Sequence, residues 1–307
     1  MNKIPNLDET VLQALDFFVK NPPLPLYINQ FKEPFVVGSG NAYNTGAIMF
    51  AGKPAILADE SNFRTIINYS DKKAQDGSLK DAVIISASGG KDSVWEVELA
   101  KKHSLKTTLL TTKADSDAAK IADKVIVFKS IPEPYTYNTS TYMGMMLAAT
   151  GENPSIIKEF IERLRLPENF GEHRTYSFVL PDQLMQICPM LDIKNNELFG
   201  HHGSLRAFSL GHARHAKFVI RTADELVISL GGENEFFGDP NHRWDIDLPD
   251  YINFAGVMAV TYYIVGKIQG SKPPYFKENI ERYVSQDGPK AYGPSVKPFD
   301  LIVPGSS

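Results

Sequence analysis

Apolar positions along this chain alternate between helical and strand periods. Leu7, Val11, Leu15 and Phe18 follow one another at spacings of four, four and three, marking one helical face; Asn6 can cap it and Asn21-Pro22-Pro23 stops it. Short β-type runs then alternate with helical stretches, at 34–37, 55–58, 82–86, 107–111 and 124–128. Between the third and fourth runs, residues 93–104 carry Val94, Val97 and Ala100 on one face, as a crossover between parallel strands requires.

After a charged helical stretch at 154–165 the pattern restarts. Strands are expected at 176–180, 218–221, 225–230 and 244–248, with a helix over 182–198 interrupted by Pro189. A long apolar helix over 251–269 follows, then a Pro/Gly-rich stretch from 287. Such alternation predicts an α/β protein with mostly parallel sheets flanked by helices. The boundary falls between about Thr150 and His173, giving domains over 24–150 and 173–283, an N-terminal helical segment in 1–23 and a tail over 284–307. A length of 307 residues agrees with two domains of about 150 residues each.

Composition narrows the function classes. An apolar content of 43% and a charged content of 22% are those of a packed chain and exclude a mostly disordered, collagenous or coiled-coil one. Lys plus Arg number 32 against 36 Asp plus Glu, and no dense basic run occurs, so a nucleic-acid partner is not expected. Cys188 is the only cysteine, which excludes an intrachain disulfide and a cysteine-rich zinc site and fits a reducing, cytoplasmic location. The N-terminal residues lack the apolar core of a secretion signal, and the longest uncharged apolar stretch, 252–266, is too short to span a membrane.

The candidate chemistry begins at residues 81–93, a buried-type strand running into Ser86-Ala87-Ser88-Gly89-Gly90-Lys91-Asp92-Ser93 and then a helix. Serine hydroxyls, loop amides and a helix N-terminus aimed at one point would hold a phosphate at the carboxyl end of a strand. The plainer alternative is a Ser/Gly connection that only caps the helix. Gly38-Ser39-Gly40-Asn41-Ala42-Tyr43 is a second glycine-rich turn after a strand, and it matches neither the dinucleotide-binding nor the Walker pattern. The run Met143, Met145, Met146 reads as core packing.

These two loops, with the Thr107–Thr112 strand and the run from 116 to 127, resemble the sugar isomerase (SIS) domain family. The resemblance implies two SIS-like domains, each a flavodoxin-like three-layer sandwich, and a phosphosugar ligand. Ser86, Ser88, Gly89, Lys91 and Ser93 would bind its phosphate, Lys91 supplying charge where the family often has a threonine hydroxyl. Gly40 and Asn41 would contact the sugar, with Asn41 and Ala42 standing where a related synthase has Thr and Ser. Thr139 and Ser140, opening the next helix, resemble the family's third Ser/Thr-rich element; a helix cap is the other reading of them.

The second half resembles the isomerase part of glucosamine-6-phosphate synthase and the two-domain phosphoglucose/phosphomannose isomerases. Those proteins carry a helical Glu and, sixteen residues later, a ring-opening His; Gln186 and His202, in His201-His202-Gly203, fall into that register here. Gln186 departs from the family, because an amide has no basic form near neutral pH. Asp182, one helical turn before it, and Glu197, eleven residues after it and free to pair with His201, are the alternative bases. Lys277 is a further candidate for ring opening or phosphate charge balance, or else a surface lysine. His201, His202, His212 and His215 cluster in sequence, but the resembling families use no metal, and no cofactor is expected. Gly231-Gly232-Glu233-Asn234-Glu235 reads as a solvated turn or a ligand contact.

The resemblance implies a phosphosugar aldose-ketose isomerase, glucose-6-phosphate isomerase-like, working as a homodimer with shared active sites. The alternatives are a phosphosugar deglycase or deaminase and a non-catalytic phosphosugar-binding regulator.

Overall fold

Five apolar runs of the N-terminal half pair into one parallel sheet. The computed structural model describes residues 4–70, 79–202, 205–216, 221–232, 234–294 and 296–303. They fall into two units: Lys20–Ile131 with Ser140–Gly151, and the chain up to Val19 with Pro132–Thr139 and Glu152–Val303.

The unit containing Lys20–Ile131 holds β1 (Phe35–Gly38), β2 (Ile56–Ala58), β3 (Asp81–Ile85), β4 (Lys106–Thr111) and β5 (Lys124–Val127) in the order β2-β1-β3-β4-β5. All four pairings are parallel. This is the doubly wound order in which the connections diverge to opposite faces at the β1/β3 pair, leaving a crevice beyond the carboxyl ends of those two strands. Continuous apolar sequence is what a strand covered on both faces needs, and every residue of β1 is buried. Phe35, Val37, Phe63, Ile84, Val97 and Leu109 belong to one core cluster, and burying each such side chain is worth about 1.5–3 kcal/mol. Gly46 lets the Asn41–Met49 helix lie close on the sheet, since a Cβ there would come within 2.7 Å of Val36 and 3.0 Å of Ile85.

The other unit begins with the helix Leu7–Lys20, whose Leu7, Val11, Leu15 and Phe18 are buried as their spacing predicts. After β6 (Glu133–Pro134), the strands β7 (Thr175–Leu180), β8 (Leu205–Ser209), β9 (Glu225–Leu230) and β10 (Arg243–Ile246) form a second all-parallel sheet, ordered β10-β9-β7-β8. β11 (Ile302–Val303) pairs antiparallel with β6, and Phe299 stacks on Tyr135, so the end of the described chain is anchored.

Three local expectations change. Of the strand expected at 218–221, residues 218–220 lie outside the described residues, and β8 was not anticipated. The helix expected over 182–198 divides into a 3-10 turn, Asp182–Ile187, and an α-helix, Cys188–Phe199, with Pro189 in its first turn, where a missing N–H costs nothing. The long apolar helix is Phe254–Ser271, its N-terminus capped by the Glu152 carboxylate, which accepts from the Asn253, Ala255 and Gly256 amides at 2.7–2.9 Å. It is buried along most of its length, and a Cβ at Gly266 would lie 1.9 Å from the Asp8 backbone nitrogen. No helix among the described residues is long and apolar enough to cross a membrane.

Candidate functional site

The two glycine-rich loops leave the sheet side by side. β1 and β3 pair with Gly38 opposite Ile85, so the chain turns out of both strands at the same level of the switch point. After β1, Ser39-Gly40-Asn41-Ala42 closes with the Ala42 N–H donating to the Ser39 carbonyl at 3.1 Å, and Gly40 sits at φ 56°, ψ −123°. After β3, Gly90-Lys91-Asp92-Ser93 closes with the Ser93 N–H donating to the Gly90 carbonyl at 3.3 Å, and Lys91 sits at φ 54°, ψ −125°. Both are type II′ turns, whose first central residue is ordinarily glycine. Each opens directly into a helix, and neither helix has a side-chain cap at that position. The first-turn amides of an uncapped helix are donors that suit an anion.

Lys91 therefore holds a backbone conformation that disfavours any side chain, at a cost of about 1–3 kcal/mol. It is exposed, while partial desolvation of its ammonium holds its pKa below the ordinary lysine value, the neighbouring Asp92 carboxylate opposing that shift.

The rest of the loop is fixed in place. Gly89 is at φ +60°, and a Cβ there would lie 2.0 Å from the Ser116 Oγ, so both conformation and space require glycine. The Ala87 carbonyl accepts from the Thr112 amide and from the Thr111 and Thr112 hydroxyls. The Gly89 amide donates to the Ser86 Oγ at 3.1 Å and the Gly90 amide to the Ser88 Oγ at 3.4 Å, which leaves both hydroxyl protons for another acceptor. Ser93 is different: it is buried, and its hydroxyl donates to the Gly90 carbonyl at 2.7 Å, so it closes the turn. Asn41 is buried, with its Oδ1 accepting from Asn44 at 3.2 Å.

Thr139 and Ser140 are fully buried. The Thr139 amide donates to the Glu133 carboxylate at 2.8 Å, so the N-terminus of the Thr139–Thr150 helix already faces an anion of the protein. The Ser140 Oγ accepts from the Ile131 amide at 3.1 Å.

In the second-sheet unit the candidates sort to the two ends of the Cys188–Phe199 helix. Asp182 and Gln186 lie in the turn before it. At three residues per turn, a 3-10 helix sets residues four apart about 120° from one another, so the two do not share a face as an α-helix would place them. Asp182 accepts the Gly211 amide at 2.7 Å, and that bond with one from Ser209 holds its carboxyl below the usual range. The Gln186 Oε1 is buried and has no hydrogen-bond partner among the described residues.

Glu197 and His202 lie at the other end, about 18 Å along a twelve-residue helix. Glu197 pairs with Lys194, not His201, at 2.5 Å, and the fully buried Lys194 also donates to the Thr136 carbonyl at 2.6 Å. Burial pushes the Glu197 carboxyl up, with Lys194 opposing. The exposed His202 ring packs on His201 at 3.8 Å between centroids, and both approach the Tyr275 ring edge-on. Gly203 lies outside the described residues. Lys277 is half-buried on the Tyr275–Arg282 helix. His212 and His215 are exposed on Leu210–His215, and no three His, Cys, Asp or Glu side chains among the described residues come together as a metal site.

Sequence reasoning missed Lys194 and Glu96. Both are charged residues on otherwise apolar helical stripes, Lys194 among Met190, Leu191 and Leu198, Glu96 beside Val97 and Ala100.

The sequence matches no protein-family model and no curated protein. Solved structures do match. The tagatose-6-phosphate ketose/aldose isomerase from Escherichia coli is 14% identical with a TM-score of 0.55, covering 87% of this chain and 92% of that one. The C-terminal domain of glucosamine-fructose-6-phosphate aminotransferase from Francisella tularensis is 12% identical, TM-score 0.54, over 88% and 94%. Glucosamine-6-phosphate deaminase from Thermotoga maritima is 15% identical, TM-score 0.52, over 86% and 91%. At such identities the likeness is one of fold: this chain has the two-sheet α/β architecture of those sugar-phosphate enzymes.

Proposed function

We propose that this chain binds a phosphosugar at the β1/β3 loops and interconverts its aldose and ketose forms. The observation that carries the reading is the pair of type II′ turns leaving adjacent strands at one level, each opening an uncapped helix, with the Ser86 and Ser88 hydroxyls and the Lys91 ammonium beside them. A lysine kept in a conformation suited to glycine is explained by the anion it meets. Ser93, Gly89 and Asn41 shape this site; Gly40 supplies the positive φ that the turn after β1 needs.

Isomerisation needs an acid to open the ring and a base to move a proton between C2 and C1. His202 is the proposed ring-opening group. Glu197 is the better base, because burial raises its carboxyl pKa and so makes it the stronger proton acceptor, while the hydrogen bonds of Asp182 lower that residue's. Glu197 also shares an end of its helix with His202. Gln186 lies at the far end, so a site using both Gln186 and His202 would draw them from two copies. We propose a homodimer with shared sites, the arrangement that the sequence resemblance implies, and a cytoplasmic location from the single buried cysteine. Lys277 is a weaker candidate for phosphate charge balance.

A phosphosugar-binding regulator is the second reading, favoured by Gln186 standing where the resembling enzymes have a carboxylate. A deaminase, the activity named for the Thermotoga maritima protein, would use the same groups on an amino sugar phosphate. Titration with hexose 6-phosphates tests the common core: Ser86→Ala with Ser88→Ala removes two charge-assisted bonds and should weaken binding at least about tenfold. Unchanged affinity in that double variant would remove the loop from the site.

A further inference from the structure

The Asp92–Lys102 helix, which starts at the Lys91 turn, buries a stripe of Ser93, Glu96, Val97 and Ala100 against the sheet. A carboxyl group on such a stripe is anomalous. Glu96 is 1% exposed, and its Oε1 has no hydrogen-bond partner among the described residues. The charges around it do not compensate it. Asp92 precedes it by one turn, and Asp59 and Glu60 face it from the turn after β2. Of the cations on neighbouring elements, Arg64 lies over the Trp95 ring, 4.1 Å from its centroid, and Lys120 on the Asp117–Ile121 helix pairs with Asp117 at 2.7 Å. Burial first, and then Asp92, Glu60 and Asp59, push the Glu96 carboxyl up to about 8.

Glu96 stands three residues from Ser93, whose hydroxyl closes the Lys91 turn on the Gly90 carbonyl. Three residues is one helical turn on the same face, so Ser93 and Glu96 are stacked neighbours. Glu96 therefore lies on the same buried face as the residue that closes the turn presenting Lys91.

We propose that Glu96 is the positioning residue of the anion loop: as a neutral acid it seats the first turn of the helix on the sheet, and as a carboxylate it unseats that turn and opposes an anion bound there. This rests on the phosphate-binding reading of the loop. At about 1.5 Å per residue, Glu96 is about 8 Å along the helix from the Lys91 turn. One unit charge at that distance from a dianion changes affinity about fivefold even at the dielectric constant of water, and more in a partly desolvated site.

The test uses inorganic sulfate, which stays doubly charged across the range, and a Lys91→Arg background, which removes the lysine titration. Sulfate affinity should fall about fivefold or more between about pH 7 and about pH 9 when Glu96 is present, and stay level in Glu96→Gln or, should that fold poorly, Glu96→Met. An equal alkaline loss with and without Glu96 overturns the proposal while leaving the loop assignment standing. Absence of sulfate binding to the parent protein at about pH 7 overturns the loop assignment and the proposal with it. Ligand-free unfolding gives an independent reading. Because the native state holds the proton that the unfolded chain releases, the advantage of Glu96→Gln over the parent should grow from about pH 5 to about pH 8 and then level off. A pH-independent difference would show that Glu96 ionises in the native protein as it does in the unfolded chain and would overturn its role.

Discussion

Lys91→Gly should move stability and affinity in opposite directions. Relieving the φ 54°, ψ −125° conformation returns about 1–3 kcal/mol, which the greater freedom of glycine in the unfolded chain offsets by about 0.5–1 kcal/mol, leaving a net gain of about 1 kcal/mol. For a domain of this size that is a rise of about 2–4 °C in Tm. Losing the ammonium removes a charged hydrogen bond to phosphate worth about 1.5–3 kcal/mol, a fall in affinity of about 10–150-fold. Lys91→Ala is the control, since it loses the charge but keeps the strain, and it should bind as weakly without the gain in Tm. Calorimetric unfolding and titration with a hexose 6-phosphate read the two effects separately. If Lys91→Gly is no more stable than Lys91→Ala, the backbone is not strained; if it binds as tightly as the parent, the strain serves something other than an anion.

Gly89→Ala should destabilise by about 2 kcal/mol or more, from positive φ and overlap with Ser116, and chemical denaturation would show it; a neutral effect would mean that the loop is not held as described. Glu197→Gln should lower turnover about 100- to 10,000-fold with Asp182→Asn changing it little, and His202→Ala should match the loss in Glu197→Gln on cyclic substrate; the reverse ranking would move the base to Asp182. The buried His173, whose Nε2 lies 2.8 Å from the His242 Nδ1, has its pKa lowered first by burial. The unfolded chain then takes up its proton at higher pH than the native one, so stability should fall as pH drops below about 6.5, the unfolded value, until the native pKa is reached. His173→Gln should flatten that slope in unfolding experiments, and an unchanged slope would assign it to other groups.

The fold was legible where apolar runs are continuous. β1, β3 and β4 are buried on both faces, and their sequences admit little else. β8 was missed because Arg206 breaks its apolar run, and that arginine has a partner only tertiary structure supplies, the Glu225 carboxylate on β9. The 182–198 stretch reads as one helix because 3-10 and α turns differ in the register of facing residues, not in composition. The loop residues Ser86, Ser88 and Gly89 were visible as types in sequence, but their division of labour was not. Ser93 looks like the other serines until its hydroxyl is found on Gly90. Glu96 and Lys194 were available to a stricter reading, since a charge on a buried helical stripe is a departure that periodicity alone reveals.

Sugar-phosphate isomerisation would move a proton between C2 and C1, and proton NMR of a panel of hexose 6-phosphates incubated with the protein in deuterated water reads that transfer. One substrate of the panel should exchange its C2 proton for deuterium and appear as the paired aldose or ketose, with both signals lost in the Ser86→Ala, Ser88→Ala double variant. Binding of the panel with no deuterium incorporation and no interconversion would contradict catalysis, and no binding at all would contradict the site.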